Sequence, residues 1–181
     1  MNWLRKIIGG SGSQSRQATS GEDPPLKTVT YRGGLVTFRI PAHWVEEHEP
    51  EGGGTFYDPA PDSATLRLEV ITAEAPSPLG ADDASEVLSS LRQRMDAPVE
   101  RLPNRYALVR YTQSAEDRGH ALLITYWSVA QVIPPHHARI ATFSYTVLET
   151  QRDSERIQRE IALLDREIRS SIFSPEVGSP A

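Results

Sequence analysis

Histidines are the side chains of this sequence best suited to holding a metal ion. His43 and His48 stand among three glutamates, and His136-His137 is an adjacent pair. Zinc ligands usually recur at a His-x₃₋₅-His spacing or along one face of a helix. Four residues separate His43 from His48, which places them on opposite faces of a strand or loop. His136-His137 follows two prolines at a predicted hairpin tip. The spacing therefore does not indicate a metal site, and we expect no cofactor.

The motifs of nucleophilic and phosphate chemistry are also missing from the sequence. There is no cysteine, which excludes disulfides, thiolate metal sites and cysteine nucleophiles. No Gly-x-Ser-x-Gly motif occurs, and Gly52-Gly53-Gly54 lacks the Lys and Ser/Thr of a phosphate loop, so it predicts a turn. Paired acids such as Glu46-Glu47 and Asp82-Asp83 are typical of a solvated face or a helix start. We therefore expect a protein that is not an enzyme, the alternative being a hydrolase whose triad assembles only in space.

Two tryptophans of the central region could belong either to a core or to a partner site. Trp127 lies on the same predicted strand face as Leu123 and Val129, which favours the core. Trp44 follows Pro41 at a strand end, where a half-buried anchor is expected. Exposed aromatic side chains mark interfaces, so Trp44 is retained as a candidate contact although core packing is the favoured interpretation.

The first eight residues form a short amphipathic segment. Its apolar side chains accompany Arg5 and Lys6 and end at Gly9-Gly10. The candidate contact residues of this segment are Trp3, Leu4, Ile7 and Ile8. A helix this short orders only against another surface: a partner groove, the protein's own domain or, through a weak contact, a membrane surface. The other possibility is a frayed terminus.

Composition narrows the class of partner. The formal net charge is −5, whereas nucleic-acid binders usually carry a basic face. No apolar run approaches the roughly 20 residues needed to cross a bilayer. The apolar stretch near Met1 is shorter than the region of about 7–15 residues in a signal peptide, so a cytoplasmic location is expected. The expected partner is another protein rather than a nucleic acid or a membrane interior.

Composition along the chain predicts one folded domain with tails. Residues 9–25 are rich in Gly, Ser and polar side chains, which is typical of a flexible linker. The domain is expected from 26 to 173, and residues 174–181 form a Pro/Gly tail predicted to be disordered. Residues 1–8 are the amphipathic segment described above.

Alternation of apolar and polar residues predicts strands along most of the domain. Three alternating stretches surround Phe38, Leu68 and Phe143. Ala121–Ile133 is apolar on both faces, as in a covered central strand, and Pro134-Pro135 ends it in a hairpin. Gly33-Gly34 predicts a second hairpin turn, and Tyr106–Thr112 is a further strand candidate.

Two stretches have helical spacing. Asp83–Met95 opens with Asp83 and Glu86 in capping-box spacing. Asp153–Ser171 carries three oppositely charged i,i+4 pairs on one side. Its apolar side carries Ile157, Ile161, Leu164, Ile168 and, just past its end, Ile172. The order of strands, helix, strands and helix predicts an α+β fold, an antiparallel sheet with two main helices packed against it.

The sequence resembles the PsbP-like superfamily at several fold-determining positions. They are Phe38-Arg39-Ile40-Pro41 followed by Trp44, the strand ending Phe143–Thr146, and the helix ending Ser170–Phe173. That superfamily includes the photosystem subunit PsbP, a Ran-binding import factor, DcrB-like proteins and chaperones of secreted toxins. The resemblance implies a non-enzymatic scaffold and transfers no functional residue.

These observations together favour a bacterial, cytoplasmic, non-catalytic adaptor, chaperone or immunity-like protein. Binding is expected on the exposed face of the sheet or in the groove between sheet and helices. The alternative is a small-molecule-binding or hydrolytic domain with a pocket in that groove.

Overall fold

The computed structural model describes residues 23–50, 52–91 and 97–176. Within them the chain forms an α+β fold of two antiparallel sheets and two α-helices, as predicted. The strands are β1 (Leu26–Tyr31), β2 (Val36–Pro41), β3 (Val45–His48), β4 (Gly54–Tyr57), β5 (Thr65–Glu74), β6 (Val99–Arg101), β7 (Ala107–Asp117), β8 (His120–Ile133), β9 (His137–Leu148) and β10 (Ile172–Phe173). The helices are α1 (Ala84–Leu91) and α2 (Glu155–Arg169).

The larger sheet has seven strands in the order β3-β4-β5-β9-β8-β7-β6. Its long strands β7, β8 and β9 follow one another in the chain as a meander. Ile133 pairs with His137, so the two prolines form the hairpin turn predicted from the sequence. β9 lies at the centre of this sheet with β8 beside it. Both strands are buried along most of one face, and on the other face mainly towards the hairpin that joins them.

The smaller sheet has the order β1-β2-β10 and lies on one face of the larger sheet. Arg32–Gly34 forms the turn between β1 and β2, and Gly33 there has φ +67°, a left-handed conformation that glycine adopts without strain. Phe38 of β2 packs edge-on against Phe143 of β9, with ring centroids 5.1 Å apart. This contact joins the two sheets in the main core.

Helix α2 covers the same face of the large sheet, next to the small sheet. Ser154 is its N-cap and accepts a hydrogen bond of 3.3 Å from the backbone N–H of Ile157. Ile157, Leu164 and Ile168 are buried as predicted, and Ile161 is half-buried. Ile172 was expected on the buried side, but it belongs to strand β10 and is 65% exposed. The helix ends at Arg169, so the helical spacing no longer applies at position 172.

Helix α1 lies on the opposite face and covers only one end of the large sheet. Leu88 packs there in a second core cluster with Val109 and Val132. The helix starts next to Asp83, as the sequence predicts, but the expected capping box is replaced by another contact. The carboxylate of Asp83 accepts a hydrogen bond of 2.7 Å from Gly80 N–H, on the loop before the helix. Met95, at the end of the predicted helix, lies outside the described residues.

The contacts of the domain begin slightly before residue 26 and continue past residue 173. Asp23 forms an ion pair with Arg166 at 2.8 Å. Arg139 is fully buried and donates hydrogen bonds to the carbonyl oxygens of Ser174, at 2.6 Å, and Glu176, at 2.5 Å. The first described residues are therefore attached to α2, and the last ones to strand β9 of the large sheet. No helix among the described residues is long and apolar enough to cross a bilayer.

Candidate functional site: the open face and edge of the large sheet

Helix α1 covers only one end of its face of the large sheet, and no other element in the part of the chain that the structure describes covers the rest of that face. We call this surface the open face, and alternation along the paired strands assigns its side chains. They are Tyr111, Ile124, Tyr126, Ser128, Thr142 and Ser144. All six are partly exposed. The open face therefore combines aromatic, aliphatic and hydroxyl groups that a partner could cover.

Two tyrosines form the aromatic part of the open face. Tyr111 on β7 pairs directly with Tyr126 on β8, and their rings stack with centroids 4.7 Å apart and an interplanar angle of 12°. Partial burial, together with the neighbouring Tyr126, raises the pKa of Tyr111, so its phenol stays a neutral hydrogen-bonding group at physiological pH. Ser128, two residues along β8 from Tyr126, pairs with Thr142 on β9, and their hydroxyl oxygens are 3.4 Å apart.

The edge of the large sheet is incomplete beside this face. Strand β4 begins at Gly54, which pairs with Leu68, so the pairing of β5 with β4 stops there while β5 itself continues to Glu74. We call Glu69–Glu74 the free edge, since no strand in the part of the chain that the structure describes pairs with its outer side. An open cavity of about 530 Å³ lies at its start. We call this cavity the edge groove, and its polar lining includes Arg32, Glu49, Arg67, Glu69, Tyr126 and Ser144.

The turn between β3 and β4 forms one wall of the edge groove. Gly52 and Gly53 have φ of +114° and +109°, conformations that other residues rarely adopt. The N–H of Gly53 donates a hydrogen bond of 2.7 Å to the hydroxyl of Tyr31. The guanidinium of Arg32 lies against Gly52, where a Cβ would be 3.4 Å from Nη1. Gly52 and Gly53 therefore form the predicted turn, and Gly54 is the first residue of β4.

On the other face of the large sheet, α2 closes over a group of titratable side chains. Tyr145, fully buried, donates a short hydrogen bond to Glu160 on α2. Burial raises the pKa of Glu160, and its hydrogen bond from Tyr145 only partly opposes that effect. Burial and the charge of Glu160 also raise the pKa of Tyr145 far above its usual range. Asp58 and His43 lie nearby and form an ion pair at 3.4 Å if the imidazole is protonated.

Trp44, retained from the sequence as a candidate contact, is in the core. Its side chain is 2% exposed and its ring is parallel to that of Tyr145, with centroids 6.4 Å apart. The buried indole N–H has no hydrogen-bond partner among the described residues. This burial agrees with the favoured interpretation of core packing. The other candidates, Trp3, Leu4, Ile7 and Ile8, lie outside the described residues.

His43 and His48 have different partners in the structure. His48 lies 3.8 Å from Glu46, and its ring is 5.9 Å from that of Tyr31. His43 faces Asp58 instead. Over the described ranges, no three His, Asp or Glu side chains come together in a way that could hold a metal ion.

The residues of the open face and the edge groove were not singled out from the sequence. Trp127 is fully buried, as the sequence predicted, and alternation places its neighbour Tyr126 on the opposite face. That signal could have identified Tyr126. The sequence around Ile71 does not indicate that it is 46% exposed, because its exposure results from the pairing of β4 with β5 stopping at Gly54.

Comparisons with known proteins support the fold of the chain but no specific function or partner. No family model and no curated protein matches the chain. A crystal structure from Bacteroides thetaiotaomicron VPI-5482 matches with a TM-score of 0.56 and 17% identity, over 82% of this chain and 48% of that one. The chain therefore spans about half the length of that protein.

Two further solved structures are similar. LpqN of Mycobacterium tuberculosis, involved in cell envelope biogenesis, matches with a TM-score of 0.57 and 9% identity, over 83% of this chain and 91% of LpqN. The PsbP protein of Synechocystis sp. PCC 6803 matches with a TM-score of 0.35 and 15% identity, over 92% of this chain and all of that one. A PsbP protein is therefore among the solved structures that match the chain.

Proposed function

We propose that this domain binds another protein through its open face and edge groove, without catalytic turnover. The observation that supports this most directly is that, among the described residues, only α1 covers this face of the large sheet, and it covers one end. The uncovered part carries the stacked Tyr111–Tyr126 pair, and Ile71 lies exposed beside it. Tyrosine is enriched at protein interfaces, where its rigid ring buries a large area at little entropic cost.

The shape and chemistry of the edge groove favour a macromolecular partner over a small molecule. Sites for small molecules are concave, mostly apolar and enclose most of their ligand. The edge groove is open along the side of a sheet, and its lining mixes Arg32 and Arg67 with Glu49 and Glu69. A balanced set of charges around a hydroxyl-rich surface resembles the polar rim of an interface.

A photo-cross-linking experiment tests this surface. The partner is first co-purified from the native source and identified. A photoreactive phenylalanine analogue then replaces Tyr126 in one variant and Arg159 in a control variant. Arg159 lies on the exposed side of α2, across the sheet from the open face. We expect cross-links from position 126 and none from position 159. The reverse pattern would move the binding surface to α2 and contradict the proposal.

A second candidate function rests on the buried group beside α2. Glu160, with its raised pKa, could act as a general acid next to Tyr145 and Asp58. The unpartnered N–H of Trp44 is a further polar group in this region. A broad hydrolase screen of the chain and of Glu160→Gln distinguishes the two candidates. Turnover that is lost in Glu160→Gln would favour the enzyme, and our proposal expects no turnover in either protein.

A further inference from the structure

The free edge presents hydrogen-bonding groups of the main chain as well as side chains. In a strand, the N–H and C=O of every second residue point to the same side. Along Glu69–Glu74 one set bonds to β9, and the other set points away from the sheet beyond the end of β4. Such an unpaired edge is a template for another extended chain, which proteins normally cover or blunt.

The side chains of the free edge indicate the chemistry of that added chain. Glu69 and Glu74 stand at its two ends, and neither carboxylate has an ion-pair or hydrogen-bond partner among the described residues. Ile71 lies between them and is 46% exposed. Opposite charges and apolar pairs on facing strands stabilise a sheet. The edge therefore complements a strand with a basic residue near each end and an apolar residue between them.

A second copy of this chain complements the edge less well. Two-fold antiparallel pairing centred on Ile71 would stop at Ala73, because the position opposite Leu68 is already occupied by Gly54. Glu69 would then face Ala73 of the other copy rather than a base. A separate peptide can pair with Glu74 as well, and its own sequence can place a basic residue opposite each glutamate.

We propose that Glu69–Glu74 binds an extended peptide segment of the partner as an added antiparallel strand that continues the line of β4. The segment places basic side chains opposite Glu69 and Glu74 and an apolar side chain opposite Ile71. Main-chain hydrogen bonds then supply affinity, and the facing side chains supply selectivity. This inference rests on the proposed protein-binding function and names the form of the partner.

The test uses the full chain and a synthetic peptide, acetyl-Lys-Ser-Thr-Val-Val-Lys-amide. In antiparallel register its first lysine faces Glu74, its first valine faces Ile71 and its last lysine faces Glu69. Titration calorimetry measures the dissociation constant. Two further peptides carry N-methyl groups on alternate amides. Only one set of amides faces the strand, so we expect one of these peptides to lose at least about tenfold in affinity while the other binds nearly unchanged.

Charge exchange between protein and peptide supplies the matched controls. A Glu69→Lys/Glu74→Lys variant should bind the peptide at least about tenfold more weakly and should bind a version with both lysines changed to glutamate. Ile71→Glu should also weaken binding. Ile172→Glu, at the other exposed large apolar residue of the described chain, should leave it unchanged. All these positions are exposed, and thermal melting of each variant verifies the fold.

Several results would overturn the inference. Equal affinity of the two N-methylated peptides would show that no strand is added, and a failure of charge exchange would show that the glutamates do not face the peptide. A concentration-dependent dimer that is lost in Ile71→Glu would assign the edge to a second copy. Partner binding that persists in Ile71→Glu while Tyr126→Ala abolishes it would end the strand proposal and leave the protein-binding function intact.

Discussion

The indole N–H of Trp127, on strand β8, donates a hydrogen bond of 2.8 Å to the carboxylate of Asp165 on helix α2. Arg169 donates to the other oxygen of the same carboxylate at 2.6 Å and reaches Glu100 on β6 at 2.7 Å. Asp165 and Arg169, one of the i,i+4 pairs predicted on the surface of the helix, therefore also attach α2 to the large sheet. Among the described residues, α2 therefore covers one face of that sheet and leaves the opposite face to α1.

The apolar side of α2 should dominate its contribution to stability. Leu164 is 1% exposed, so Leu164→Ala should lower the free energy of unfolding by about 2–5 kcal/mol through lost burial and a cavity. Arg159→Ala removes only an exposed pair with Glu155 and should cost at most about 0.5 kcal/mol. Urea denaturation measures both variants. Equal losses would contradict the amphipathic assignment of α2.

The carboxylate of Asp165 should stabilise the fold more at neutral than at acidic pH. Burial alone would raise its pKa, but hydrogen bonds from Arg169 and Trp127, with the charges of Arg169 and Arg110, hold it below its usual value. A lowered carboxyl pKa gives stability that is present above the unfolded-state pKa and lost as pH falls through the folded-state pKa. The difference in unfolding free energy between the wild type and Asp165→Asn should therefore shrink on acidification. A constant difference would show that the charge is not involved.

Glu160 should have the opposite pH dependence. Its pKa is raised by burial, so its stabilising contribution is present below the unfolded-state pKa and is lost as pH rises through the raised value. Glu160→Gln keeps an acceptor for Tyr145 and carries no charge, so it should gain stability relative to the wild type as pH rises. Tyr145→Phe removes a bond that favours the carboxylate and should make the loss with pH steeper. Unfolding curves over a pH series measure both effects, and parallel curves for all three proteins would contradict the assignment.

The amphipathic segment at residues 1–8 should strengthen binding without contributing to folding. A weak apolar contact at the end of a linker gains from high effective concentration once the domain is engaged. Deleting residues 1–8 should weaken partner affinity several-fold, and Trp3→Ala alone should reproduce much of the loss. Lys6→Ala is the control within the same segment. If the deletion variant bound the partner with unchanged affinity, residues 1–8 would not contribute to binding.

Most of the fold follows from residue periodicity. The alternation around Phe143 and the two-sided apolar run that contains Trp127 predicted β9 and β8, because a buried sheet face selects apolar side chains at every second position. Ile172 shows where this reasoning fails. The helical spacing of apolar residues in the sequence includes Ile172. The helix, however, ends at Arg169, and Ile172 pairs with β2 as part of a strand.

The candidate site could not be predicted in the same way. Ile71 is exposed because the pairing of β5 with β4 stops at Gly54 while β5 continues. That difference in length between two strands cannot be seen in the sequence of either one. Glu167 is a similar case, since a charged side chain of an amphipathic helix ordinarily lies on its solvated side. It is 1% exposed and pairs with Arg39 of β2 at 2.7 Å. Such pairings depend on tertiary contacts that periodicity does not encode.

The most direct test of the account is the affinity of the purified partner for Tyr126→Ala, compared with wild type and Arg159→Ala. Tyr126 lies on the open face, borders the edge groove and stacks on Tyr111, so its truncation should remove the central contact. We predict at least about a tenfold rise in Kd for Tyr126→Ala and less than about a twofold change for Arg159→Ala, with both variants folded. A Kd for Tyr126→Ala equal to that of the wild type would contradict the claim that the open face binds the partner.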